Sequence, residues 1–131
     1  MKRNDRGAAV VEFAIVLPLL VSLLVGIAEF GRAYYVQTTL SGAAREGVRV
    51  MAVQDSSSEA KSAAISAAGP LEISDITVAT RAPSSSNWVP SNECSTAYTA
   101  RVTIRYTMPY ITGMFGSPLD LKGEGVMRCG G

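Results

Sequence analysis

Glu12 is the single charge in the apolar run of residues 8–28, and it follows Gly7 by five positions. An ionised carboxylate inside hydrocarbon is costly unless an opposite charge meets it, so an acid in such a run points to function. A cut after Gly7 would place a new ammonium on Ala8, four residues or roughly 6 Å of helix from Glu12. A neighbouring helix shifted along its axis would then bring its own ammonium against this carboxylate. The implied chemistry is peptide cleavage followed by charge pairing in an apolar medium.

The segment that carries these groups must be helical to satisfy its own backbone in lipid. The 21 residues of 8–28, at about 1.5 Å each, give roughly 31 Å, enough for a ~30 Å hydrocarbon core. Before them, residues 1–7 hold Lys2, Arg3 and Arg6 against Asp5, which predicts a cytoplasmic N-terminus and export of the chain beyond the span. Beyond Glu29 and Arg32, Ala33, Val36, Leu40, Ala44, Val48 and Met51 recur at steps of three and four, with Arg45 and Arg49 on another face. The helix is therefore expected to span 8–53, transmembrane over 8–28 and amphipathic over 29–53. Its stripe requires a partner, either the chain's own downstream domain or another helix.

Two features inside this helix carry alternatives. Pro18 removes a backbone donor and leaves the Ala14 carbonyl without its usual bond. It reads as a bend or meltable point, or as an ordinary transmembrane proline. Ala43 and Gly47, four residues apart, allow close helix approach, by this chain's own sheet or by another subunit.

GAAVVEF resembles the type IV prepilin processing site: a glycine, four small or apolar residues, then glutamate and an aromatic. The longer pattern RGAAVVEFAIVLPLL, followed by GIAEFGRAYY and GAAREGVR, is similar to the TadE-like pseudopilins of tight-adherence (Flp-type) pilus systems, over about the first 50 residues. The resemblance implies that prepilin peptidase cuts between Gly7 and Ala8, that Glu12 is the assembly charge at the fifth mature position, and that Pro18 helps the helix leave the bilayer. It further implies partnership with other pilins or pseudopilins and with the inner-membrane assembly platform. The destination would be a bacterial inner membrane, single-pass, with the C-terminal domain outside the cytoplasm, in a system for surface attachment. Major pilins of this type are much shorter, so a minor or accessory component is expected.

Residues 54–131 read as a small exported α+β domain. Asp55 and Ser56, Ser57 and Ser58 break the first helix, and a serine caps a second, EAKSAAISAA, ended by Gly69 and Pro70. ISDITVAT and YTARVTIRYTM alternate with period two and predict strands, with Ile76 and Val78 sharing one face and Ala100, Val102, Ile104 and Tyr106 another. Between them RAPSSSNWVPSNECSTA reads as an exposed loop anchored by Trp88, and MPYITGMFGSP as a turn-rich connection. LDLKGEGVMR predicts a weaker last strand, interrupted by Gly123 and Gly125. The expected architecture is a long helix, a short helix and an antiparallel sheet of about three strands, the order that pilin-like domains share.

Cys94 and Cys129 fall in the expected exported part, where an even cysteine number favours a disulfide. The bridge would close about 36 residues and contribute roughly 4 kcal/mol in the chain-entropy model. Two unpaired thiols are the alternative.

Histidine is absent and the acids are scattered, which removes most catalytic and zinc constellations. No cofactor or metal set and no enzyme signature is legible. The 12 basic and 11 acidic residues give +1, and loss of residues 1–7 leaves 9 against 10, so no basic surface for nucleic acid is implied. A second functional reading takes residues 1–28 as a secretory signal, since Gly26 and Ala28 have small-x-small spacing, and makes the mature chain a soluble binding protein.

Overall fold

The computed structural model describes residues 5–113 and 115–130. In order, the elements are α1 (Asp5–Gln54), α2 (Ser57–Ala68), β1 (Asp75–Arg81), β2 (Val89–Pro90), β3 (Thr99–Met108) and β4 (Leu119–Arg128). The α+β architecture is the expected one, with four strands in place of about three. The added strand, β2, is two residues of the loop around Trp88, paired through Ala79 with Pro90 and Thr80 with Val89. Residues 1–4 of the expected leader lie outside the described residues, and Asp5, Arg6 and Gly7 begin α1.

The chain divides into two compact units, Met1–Ala33 and Tyr34–Gly131. Among the described residues of the first, α1 is the one element. It runs without interruption through Pro18, and Ser22 Oγ donates to the Pro18 carbonyl at 2.7 Å.

In the second unit, the remainder of α1 lies on the sheet. Val36, Leu40, Ala44, Val48 and Met51 of the apolar stripe are buried, while Arg45 and Arg49 are exposed. The sheet is antiparallel in the order β2-β1-β3-β4. Its inward residues Val78, Ala100, Val102, Ile104 and Met108 complete the core with Ala60, Ala64 and Ala68 of α2.

β4 is not the interrupted strand its glycines suggest: all ten of its residues pair with β3. A Cβ on Gly123 would overlap the Leu40 carbonyl, and one on Gly125 would fall 2.5 Å from the Ala44 carbonyl oxygen. Glycine thus lets the α1 backbone rest directly on the strand, which outweighs its ordinary weakness in a sheet. Gly47 serves the same end against α2, since a Cβ there would stand 3.0 Å from the Ala60 carbonyl oxygen and from the Ala64 side chain.

Asp55 ends α1. Its φ of 54° is left-handed, which aspartate tolerates better than most residues, and its N–H still reaches the Met51 carbonyl at 3.1 Å. Ser56 then caps α2, its hydroxyl accepting the Glu59 N–H at 3.4 Å, and Gly69 at φ 64° closes the helix.

Candidate functional site

Within the first unit, the sequence places Val10, Phe13, Val16, Leu17, Leu20, Leu24 and Ile27 around the helix, and all are exposed. α1 is the one helix among the described residues long and apolar enough to cross a membrane. Among the described residues of this unit no second element covers the helix, so its apolar side chains are open to an outside partner.

Gly7, Ala8 and Glu12 lie on this exposed part of α1. A Cβ on Gly7 would meet nothing within 4 Å, so its smallness answers no packing demand in the described structure. Glu12 takes part in none of the ion pairs among the described residues. The helix places it four residues, roughly 6 Å, beyond Ala8 along the axis. The arrangement presents a small, accessible peptide bond and, one turn later, a carboxylate surrounded by apolar side chains.

Ala43 and Gly47 belong to the other unit, and both are buried there. At Gly47 the close approach is to this chain's own α2 and β3, since a Cβ there would meet Ala60, Ala64 and Val102.

Cys94 and Cys129 form a disulfide, with Cα atoms 5.4 Å apart. Around it, the Cys129 N–H donates to the Tyr98 carbonyl at 2.9 Å and the Gly130 N–H to the Ala52 carbonyl at 3.2 Å. The Cys94 N–H donates to the Asp55 carboxylate, and Ser57 donates to Asn92 through both its N–H, at 3.2 Å, and its hydroxyl, at 2.9 Å. The bridge therefore joins the end of α1, the start of α2, the long loop and the end of β4. Asp55 was legible only as part of a polar break; its second task depends on a loop 39 residues away.

On the outward face of the sheet, Trp88 receives two guanidinium groups, Arg81 at 4.9 Å and Arg101 at 4.3 Å from its ring centre. The loop is thus anchored at Trp88 by cation–π attraction. Arg101 and Lys122 also face Glu124, at 4.0 and 2.8 Å. The Lys122 hydrogen bond holds the Glu124 carboxyl below its ordinary range against the opposing effect of burial, with the charges of Lys122 and Arg101 adding to the lowering.

Comparison with curated proteins and with solved structures gives no match. The family model of TadE-like proteins matches residues 7–49, from the small residue before Ala8 to the start of the buried stripe's last turn, and over this segment the chain is similar to that family.

Proposed function

We propose that this chain is a minor pilin or pseudopilin of a tight-adherence (Flp-type) type IV pilus, a structural protein of surface attachment. It is inserted in the bacterial inner membrane with its N-terminus cytoplasmic and its second unit outside, clipped between Gly7 and Ala8 by prepilin peptidase, and joined through its apolar helix to other pilins and the assembly platform. Glu12 pairs with the Ala8 ammonium of a neighbouring subunit and fixes axial register, a use of a buried charge for specificity.

The observation that carries this reading is the coincidence of the TadE-like match with an exposed apolar helix that holds Gly7 in its first turn and Glu12 soon after. The uninterrupted course of α1 past residue 28 supports it over a secretory signal ending at Ala28. The test is the mass and N-terminal sequence of the membrane-extracted protein after co-expression with its processing peptidase. A start at Ala8 is the expected result. A start at Glu29 would overturn the proposal in favour of a soluble exported protein.

A further inference from the structure

We propose that the connection between β3 and β4 is a second membrane contact, which seats Tyr110, Ile111 and Phe115 in the lipid interface at the Tyr34 end of the second unit. This rests on the reading that residues 8–28 span a bilayer. It adds a surface that the second unit itself offers to lipid.

Contacts between α1 and β4 set their relative direction. Gln37 Nε2 donates to the Lys122 carbonyl at 2.7 Å, Leu40 rests on Gly123, Ala44 rests on Gly125, and Ala52 accepts the Gly130 N–H at 3.2 Å. The contacts advance together along both elements, so α1 and β4 run the same way. From Leu40 to Ala44 the helix rises roughly 6 Å, and from Gly123 to Gly125 the strand rises roughly 7 Å, so the two advance together.

Traced backward, β4 leads toward the end of the unit at which Tyr34 enters. From Lys122 to the last pair, Met108 with Leu119, the strand covers roughly 10 Å. From Gln37 back to Tyr34 the helix covers only about 4.5 Å. The described residues of the connection, 109–113 and 115–118, therefore lie at the Tyr34 end of the unit.

The composition of this connection suits lipid. Ile111 is 66% and Phe115 54% exposed, and the Tyr110 and Phe115 rings meet at a tilt of 46°, 5.6 Å between centres. Tyr34 and Tyr35, at the same end on α1, are also exposed. Apolar side chains at a loop tip expose surface that water disfavours, and aromatics are enriched where a protein meets the headgroup layer. The polar residues behind the tip balance in charge: Arg105 and Lys122 against Asp75 and Asp120, with Thr107 donating to Asp120 at 2.8 Å. The contact is therefore apolar rather than electrostatic, and a zwitterionic lipid suffices.

The test uses the full chain in phosphatidylcholine vesicles whose acyl chains are brominated near the headgroup. Trp88, the one tryptophan, is replaced by Trp88→Phe, which keeps a ring beneath Arg81 and Arg101. Into this background are placed Phe115→Trp, Ile111→Trp, Ile15→Trp within the span and Ile65→Trp on the exposed side of α2, at low protein-to-lipid ratio. The expected result is bromine quenching and blue-shifted emission for Phe115→Trp, Ile111→Trp and Ile15→Trp, with neither for Ile65→Trp. Quenching of Ile15→Trp without Phe115→Trp or Ile111→Trp would overturn the lipid contact alone. Blue-shifted but unquenched emission at 115 would also overturn it, assigning the tip to a protein neighbour. Absence of quenching at Ile15→Trp would remove the membrane reading and this proposal with it.

Discussion

Two stretches of α1 both carry large apolar side chains and have opposite surroundings. Leu19, in the first unit, is 73% exposed, whereas Leu40, in the second, is fully buried. Both sit in a regular helix, so secondary structure does not distinguish them. The difference is whether the chain supplies an element to cover them. The second stretch has β4, whose glycines bring the helix backbone onto the strand, and α2, which closes on Gly47. The first has no such element among the described residues of its own unit. An apolar helical surface thus acquires its meaning from its cover: a core where the chain provides one, a contact with lipid or another helix where it does not.

If the two stretches serve different ends, substitutions in them should fail differently. Glu12→Ala has the largest expected effect on assembly: the variant should insert, be cut and keep a folded second unit, yet be missing from sheared pili by immunoblot. Normal incorporation would remove the register role of Glu12. For the second unit, Cys94→Ser should lower stability by about 4 kcal/mol, read from denaturant unfolding followed by Trp88 emission. Reductant should reproduce the loss in the parent protein and add nothing in the variant. Next comes a pair of matched glycines. Gly123→Ala should cost about 2–3 kcal/mol, because the new methyl group meets the Leu40 backbone, which has little room to retreat. Gly26→Ala, with nothing within 4 Å, should cost nothing and favour the helix by up to about 1 kcal/mol. Equal effects for the two glycines would undo the contrast between the stretches.

The sequence reports this contrast unevenly. The stripe from Val36 to Met51 was legible because helical packing leaves a period of three and four in a single segment. Its partner was not, since the choice between an internal sheet and another helix depends on contacts distant in the chain. Gly123 and Gly125 show the reason most clearly. Read locally they weaken a strand; read with Leu40 and Ala44 above them they are the condition for packing. The two-residue β2 has too few residues to carry a period, and it forms because β1 offers an edge beside the Trp88 loop. Cys94 and Cys129 needed only an exported setting to suggest a bridge, whereas the hold of Asp55 on the Cys94 backbone had no local signal. At the other end, Gly7, Ala8 and Glu12 were legible as a spacing within one helix, which is why the candidate site is readable without any of the downstream fold.

Two carboxylates sharpen the comparison to its smallest scale. Glu124 has cations in its own chain, Lys122 at 2.8 Å and Arg101 at 4.0 Å, and its carboxyl is held below the ordinary range, first by the Lys122 hydrogen bond. Its folded pKa lies below the unfolded one, so the stabilisation is present above the unfolded carboxylate range and is lost as pH falls through the folded value. Because Glu124 lies on the solvent side of the sheet, Lys122→Met should cost only about 0.2–1 kcal/mol near neutral pH, and less in high salt. In acid, where Glu124 is protonated in both proteins, their denaturant midpoints should converge. A deficit that persists unchanged in acid would assign the effect to packing of the lysine stem rather than to charge. Convergence would show that Glu124 is satisfied inside the chain by a weak, screened pair. Glu12, in an apolar run, would find no such screening in lipid, so a partner delivered from another chain would change its energy far more than Lys122 changes that of Glu124.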